Sequence, residues 1–279
     1  MKKLACFLSC TCFVLIMIAC PEPLPDEPEF DNRLIPGDSS FVPPTVEIVS
    51  GPAENASVNS HTVTFQFRGN EVAEDFAYRL DDANWSSWTT QTSITLSYLN
   101  EGWHLFEVKA RNLAGVEHDS LSVGRDFEID DIRGPALWLY PRRQVVGSGS
   151  TFTLTLMAEE LTDVMGIYAP VTFNSDYVRL EEYTIMSSSG DFLRKNGGSV
   201  LALVDTLDIN GSFGFNLAVV EGDPPGVDGT GGLVRLTFRA VGTQNTSIQA
   251  SDDSRFMNSA FNSTFPSGDQ LVPALVEVR

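Results

Sequence analysis

The chain has few of the residues on which most catalytic and metal centres depend. Its 279 residues include three histidines, His61, His104 and His118, and four cysteines, Cys6, Cys10, Cys12 and Cys20. The histidines do not have the spacing of a zinc motif. Nucleophilic schemes that need a histidine base are excluded beyond residue 118, and disulfides are excluded beyond residue 20. We therefore predict no catalytic residue, no metal ligand, no cofactor and no enzyme.

Long apolar runs are also scarce, and the longest one lies near the start of the chain. Lys2 and Lys3 precede the apolar residues 12–19, which end at Cys20. About 20 apolar residues are needed to span a bilayer, so a plain transmembrane anchor is the weaker interpretation. The segment resembles a bacterial lipoprotein signal, although Met17 stands where that family usually has leucine. This resemblance implies a signal peptide over residues 1–20 and a lipid on Cys20 that anchors the protein to a membrane.

Basic residues are outnumbered two to one. The chain has 18 Lys and Arg against 37 Asp and Glu, a formal charge of −19. Loss of Lys2 and Lys3 with the signal would bring this to −19 − 2 = −21. Such a surface repels nucleic acid. We predict a solvated acidic exterior and no nucleic-acid partner.

Residues 21–44 combine proline with acidic residues. The segment holds seven prolines, with Glu22, Asp26, Glu27, Glu29, Asp31 and Asp38 among them. Dense proline and like charges favour an extended tether that buries no core. Acidic residues after a lipidated cysteine resemble the signals that send some lipoproteins to the surface of Gram-negative cells. We expect the protein to be held by its lipid at the cell envelope, on the outer membrane or the cell surface.

Residues 45–130 have the pattern of short strands separated by turns. Apolar and polar residues alternate over 63–67, 94–97 and 106–110, which is typical of half-buried strands in a β-sandwich. This segment resembles the immunoglobulin-like or fibronectin-III-like repeats of bacterial surface proteins. The resemblance lies in the order of Tyr78 to Asp81, then Trp85 and Trp88, then residues 99–115. That resemblance implies a spacer or interaction module.

Residues 134–279 predict a second all-β module. Phe152, Leu154 and Leu156 alternate with threonines, and residues 234–240 alternate in the same way. Further apolar segments lie at 171–173, 200–204, 213–219 and 272–278. Eight or nine short strands in this length favour a jelly-roll sandwich. The predicted fold is all-β, with two tandem β-sandwiches.

The second module resembles a cohesin domain. The resemblance lies in the order of residues 146–147, 152–157, 161–166 and 171–178, followed by the glycine-rich strand segment 229–242. It implies a non-catalytic module that captures a dockerin-bearing protein, linked to polysaccharide degradation, through one flat sheet face. Residues 187–198 and 251–266 depart from the family pattern, and the sequence assigns no residue to the binding face.

Other chemical sites are weaker interpretations. Adjacent carboxylates on a strand point to opposite faces and cannot flank one bond; the pairs are Asp81-Asp82, Glu159-Glu160, Glu181-Glu182 and Asp252-Asp253. Residues 206–211 lack the acidic first position of a calcium loop, where Thr206 stands. The glycine-rich residues 222–232 lack the lysine of a phosphate loop.

Exposed aromatic residues would indicate carbohydrate binding. The candidates are Trp85, Trp88, Trp103, Trp138, Tyr140, Tyr168, Tyr177 and Tyr183. By the immunoglobulin-like resemblance, we expect one ring of the Trp85 and Trp88 pair to pack in the core. Two alternatives to dockerin capture stay open: a glycan-binding surface lipoprotein, with polysaccharide as the ligand, and a structural or adhesive surface component.

Overall fold

The computed structural model describes residues 32–117, 122–208 and 211–279. The predicted signal peptide, Cys20, the first part of the tether and His118 lie outside these ranges. The described chain is built of strands, with two short 3-10 turns at Phe192–Arg194 and Gly268–Gln270. The all-β prediction is confirmed. Within the described ranges, no helix has the length and apolar character to cross a bilayer.

The first module is a β-sandwich of a three-stranded and a four-stranded sheet. Their orders are β1-β3-β5 and β2-β7-β6-β4. The strands are β1 (Val46–Ser50), β2 (Ala56–Val58), β3 (Val63–Gly69), β4 (Ala73–Leu80), β5 (Ser93–Leu96), β6 (Gly102–Asn112) and β7 (Val123–Ile129). Alternation on β3 buries Val63, Phe65 and Phe67. The ring of Phe65 stacks on that of Phe106 from the opposite sheet, with centroids 3.9 Å apart.

The second module contains more strand segments than the eight or nine predicted. They are β8 (Ala136–Tyr140), β9 (Arg143–Val146), β10 (Thr151–Phe173), β11 (Val178–Ile185), β12 (Ser199–Asp208), β13 (Ser212–Val220), β14 (Val227–Ala240), β15 (Thr246–Ala250), β16 (Arg255–Asn258), β17 (Ser263–Thr264), β18 (Leu271–Val272) and β19 (Ala274–Val278). Short pieces such as β16, β17 and β18 lack the length for a visible alternation, so periodicity does not predict them.

The long strand β10 joins the two layers of this module. Its first half pairs with β8 and β14, and its second half pairs with β13, β15 and β16. Register shifts between Ala158 and Val164, with positive φ at Glu160 and Asp163, turn the strand from one layer to the other. The segments 152–157 and 171–173, predicted as separate strands, therefore belong to one bulged strand.

The core of the second module lies between the two layers. Leu154 and Leu156 from the first half of β10 are fully buried, as are Phe215 of β13 and Phe238 of β14. Each such side chain contributes about 1.5–3 kcal/mol relative to an exposed one. The inward faces are thus occupied by the core, and the outward faces of the two layers remain as possible binding surfaces.

The two modules meet in a small apolar and polar junction. The connecting segment buries Ile132 against Ala136, Trp138 and Val272 of the second module. The backbone N–H of Arg142, which lies between β8 and β9, donates to Asn100 Oδ1 of the first module at 2.8 Å.

Candidate functional site

Each of the two described histidines lies within hydrogen-bonding distance of an aspartate carboxylate. His61 Nδ1 lies 2.9 Å from Asp131, and His104 Nδ1 lies 3.0 Å from Asp81. Burial alone would lower the pKa of His104, but its hydrogen bonds to Asp81 and to the Asn100 carbonyl outweigh burial and raise it. Across the described ranges, no group of three or more His, Cys, Asp or Glu side chains could hold a metal ion.

The tryptophans of the first module form a ladder with basic side chains. The ring of Trp85 has Arg79 and Lys109 within 5 Å of its centroid, at 4.7 and 4.8 Å. The ring of Trp88 has Lys109 at 5.0 Å and Arg111 at 4.6 Å. Neither ring lies in the core, contrary to the expectation that one of them would. The cations stabilise these partly buried rings and lie over ring surfaces that a sugar would need.

The remaining aromatic candidates are scattered. Trp103 is 59% exposed, whereas Trp138 is buried and donates its Nε1–H to Glu159 at 2.9 Å. Tyr177 donates to Gln244, and Tyr183 packs against Phe213. The rings of Trp138 and Tyr140 meet edge to face at 6.1 Å, and the other described candidates do not extend this pair into a larger platform.

The adjacent carboxylates also point to separate partners. Glu159 accepts from Trp138, and Glu160 accepts from the backbone N–H of Gly134. Glu181 pairs with Arg239. No described pair of adjacent carboxylates flanks a shared cleft in the way that glycoside hydrolysis requires.

The most regular unpartnered surface is the outward side of β12, β13, the second half of β10 and β16, which we call the hollow face. Strand register places residues from four separate parts of the chain in two transverse rows. The first row is Leu201, Ala218, Gly166 and Met257, and the second is Leu203, Asn216, Tyr168 and Arg255. Side chains at directly opposed positions lie on the same side of a sheet, so each row is contiguous.

The rows differ in chemistry. The first row is apolar and has its smallest residues, Gly166 and Ala218, at the centre. The second row carries the hydrogen-bonding groups of Asn216, Tyr168 and Arg255, and the guanidinium of Arg255 lies over the Tyr168 ring at 5.2 Å. Larger residues on both sides and small ones in the middle leave a hollow of about 250 Å³ along the sheet.

Two leucines at one edge of the hollow are unusually exposed. Leu201 is 53% and Leu203 is 63% exposed, while their neighbours Ala202 and Val204 pack against the core. Strand β12 is therefore apolar on both sides. A strand with one solvated face normally has polar residues there, and contiguous exposed apolar surface marks an interaction site.

The hollow face extends onto the hairpin formed by β16 and β17. Ser263 of β17 pairs with Met257 and also lines the hollow. The neighbouring Phe261 and Phe265 are 72% and 61% exposed. These residues belong to the segment 251–266, which departs from the cohesin pattern in the sequence.

The hollow face contains apolar, aromatic and hydrogen-bonding groups but no nucleophile with a base. Its chemistry is that of recognition, with an apolar centre and a polar side, as at protein interfaces. The sequence alone did not identify it. The one signal available was the uninterrupted apolar run 200–204, which has no polar face.

No family model matches the sequence, and no curated protein does. Cohesin modules are among the solved structures to which the chain is similar. A cohesin module from a Clostridium perfringens family 33 glycoside hydrolase has 14% identity and a TM-score of 0.39, covering 48% of this chain and 90% of that chain. A type II cohesin domain from the cellulosome of Acetivibrio cellulolyticus has 14% identity and a TM-score of 0.39, covering 50% of this chain and 94% of that one.

A type I cohesin–dockerin complex from Clostridium thermocellum has 12% identity and a TM-score of 0.38, with 51% of this chain and 92% of that chain covered. At these identities and TM-scores the likeness assigns no function and no binding residue to this chain.

Proposed function

We propose that this protein is a non-catalytic binding lipoprotein that captures a dockerin-bearing protein on the hollow face. The observation that carries the proposal is the pair of transverse rows, in which Leu201 and Leu203 lie exposed beside a hollow with small residues at its centre. Burial of those two side chains by a partner would contribute about 1–3 kcal/mol each. The cohesin resemblance of residues 146–242 gives the class of partner.

The hollow face fits an apolar ridge better than a flat partner. A helix that presents side chains on one face can seat them in the hollow, as in other helix-in-groove complexes. Asn216, Tyr168 and Arg255 then provide hydrogen bonds beside the apolar contact. Because Arg255 is the charged member of the two rows, we expect acceptor groups on the partner opposite it.

The lipid anchor and the first part of the tether lie outside the described ranges, whereas residues 32–44 of the tether lie within them. A lipid on Cys20 would hold the protein at the cell envelope, and residues 21–44 would separate the modules from the membrane. The first module would act as a spacer. In this arrangement the captured protein, which we propose acts in polysaccharide degradation, works at the cell surface.

A capture experiment tests the proposal. The full chain is immobilised and exposed to native extract in calcium and again in chelator, since a dockerin folds around calcium, and bound proteins are identified by mass spectrometry. We expect a dockerin-bearing protein that chelator releases and that Leu203→Asp fails to retain. The matched control is Leu113→Asp, at a leucine of the first module that is 77% exposed. Equal retention by both variants would contradict the assignment of the face.

A further inference from the structure

A second concave surface lies at the junction of the two modules, on the layer opposite to the hollow face. This junction groove has a volume of about 520 Å³, within the range of small-molecule sites. Residues of β8, β10 and β14 form one side, and residues near the ends of β6 and β7 form the other. Both modules are therefore needed to build it.

The walls of the groove are largely apolar. They include the rings of Trp138 and Tyr140, which meet edge to face at 6.1 Å, and the side chains of Met157 and Met186. A Cβ atom on Gly232 would lie 2.5 Å from Met186 Sδ, so glycine at that position lets Met186 lie against the strand. Tyr140 is 47% exposed and offers its ring to an occupant.

The charged groups that line the groove are all acidic. They are Glu101, Glu128, Asp130 and Glu159, and no Lys, Arg or His side chain is among the lining residues. Outside the lining, Asp130 pairs with Arg133, and Arg142 lies 3.8 Å from Glu101 but closer, at 3.2 Å, to Asp131. Arg142 is therefore shared between Asp131 and Glu101, and its charge is not available to Glu101 in full.

Glu101 and Glu159 are the lining carboxylates whose ionised forms are disfavoured by burial. Glu159 accepts hydrogen bonds from Trp138 and the Thr230 hydroxyl, which are both neutral, and Glu101 accepts from the backbone N–H of Asp131. Burial raises the pKa of Glu159, and it raises the pKa of Glu101 to about 7. Glu160 and Asp130 raise the pKa of Glu159 further. A cation placed between these carboxylates would favour their ionised forms.

A metal ion does not match this arrangement. The described acidic residues form no group of three or more that could hold one, and the apolar walls offer it no ligand. A chain of methylene groups with ammonium ends matches both the walls and the carboxylates, since alkylammonium groups pack their stems on apolar surface.

We propose that the junction groove binds a small aliphatic diamine or polyamine, with ammonium groups at Glu101 and Glu159 and methylene groups along Met157, Met186 and Tyr140. The affinity then depends on charge complementarity in a partly desolvated site. The site is separate from the hollow face and does not require dockerin capture.

Calorimetric titration of the full chain with spermidine, at pH 7.5 and physiological salt, tests the proposal. We expect saturable binding that Glu159→Gln weakens at least tenfold, because this change removes one charge and keeps an acceptor for Trp138. The control, Glu182→Gln, removes an exposed charge on β11 and should leave binding unchanged. Equal weakening by both variants would mean loose counterion binding and would overturn the proposal, as would the absence of saturation.

Additional titrations and variants distinguish a polyamine from a metal ion or a sugar as the ligand. Calcium chloride and cellobiose, each titrated alone, should give no saturable heat, and saturable binding of either one with no spermidine binding would overturn the assignment. Tyr140→Ala keeps every charge and should weaken spermidine at least threefold, which covers the case that Glu159→Gln fails to fold. Leu203→Asp should leave spermidine binding intact, so a failure of dockerin capture does not affect this result.

Discussion

Gly166 of β10 lies beneath the end of the Met257 side chain at the centre of the hollow face. The two residues are directly paired across β10 and β16, and a Cβ atom on Gly166 would come within 2.9 Å of Met257 Cε. The depth of the hollow therefore depends on the absence of a side chain at this position.

Gly166→Ala should weaken partner capture while leaving the fold intact. The added methyl group displaces Met257 toward the partner, and we expect at least a tenfold loss of affinity. Alanine in a strand is favoured over glycine by about 0.5–1 kcal/mol, so the free energy of unfolding should change by less than about 1 kcal/mol. The control Gly124→Ala, on a strand of the first module, should leave affinity unchanged. Unaltered capture by Gly166→Ala would mean that the hollow is not the contact.

Lys109 is predicted to stabilise the first module through its two tryptophan contacts. Its ammonium lies within 5.0 Å of both ring centroids, Trp85 and Trp88, and bonds Glu117 at 2.7 Å. Lys109→Met should lower the free energy of unfolding by about 1–2 kcal/mol in urea denaturation. Arg68→Met, which breaks an exposed pair with Glu47, should cost less than about 0.5 kcal/mol. Similar costs for the two variants would contradict a special role of the ladder.

The pKa of Glu101 predicts how stability depends on pH. Burial raises this pKa from 4.5 to about 7, and the side chain is 13% exposed. A carboxyl with a raised pKa binds its proton more tightly in the folded state, so its contribution is complete below about pH 4.5 and is lost as the pH rises through about 7. The loss is up to about 3 kcal/mol. The backbone N–H groups of Ile132 and Asp131 and the charge of Arg142 oppose this rise in the pKa, whereas the charge of Glu159 adds to it.

Urea denaturation at pH 5 and pH 8 measures this effect. The free energy of unfolding of the native protein should fall between pH 5 and pH 8. In Glu101→Gln this fall should be smaller by about 1–3 kcal/mol. The raised pKa of His104 adds a loss in the same direction, and Glu101→Gln reduces this loss as well, because the charge of Glu101 contributes to the raised pKa of His104. Identical pH dependence in the two proteins would show that Glu101 keeps an ordinary pKa.

The strands of this protein are largely predictable from sequence, whereas the hollow face is not. Alternation on β3 separates a buried side with Phe65 and Phe67 from a solvated side, so one strand alone reveals its orientation. On β12 both sides are apolar, and no period-2 pattern distinguishes Leu203 from its inward neighbour Val204.

The hollow face and the junction groove depend on how distant segments of the chain pair with one another. Leu203 and Arg255 share a row only because β12, β13, β10 and β16 pair in one particular alignment. The junction groove likewise requires Glu101 of the first module to approach Glu159 of the second. Sequence spacing carries no information on such long-range pairings.

The lipid anchor is predicted to depend on Cys20. In cells labelled with a radioactive fatty acid, the native protein should incorporate label and sediment with membranes. Cys20→Ala should abolish the label and release the protein from the membrane fraction, because the lipid supplies the anchor. Cys12→Ala serves as the control and should keep both properties. Label retained in Cys20→Ala would contradict the lipoprotein prediction.

Photocrosslinking from the hollow face tests whether a dockerin-bearing protein contacts Leu203. A benzophenone amino acid replaces Leu203 in the full chain, which is then irradiated in native extract with calcium, and the products are identified by mass spectrometry. We expect a cross-link from Leu203 to a dockerin-bearing protein. Chelator should prevent this cross-link, and the same amino acid placed at Leu113 should not form it. A cross-link that is absent at Leu203, or equal at both positions, would contradict dockerin capture on the hollow face.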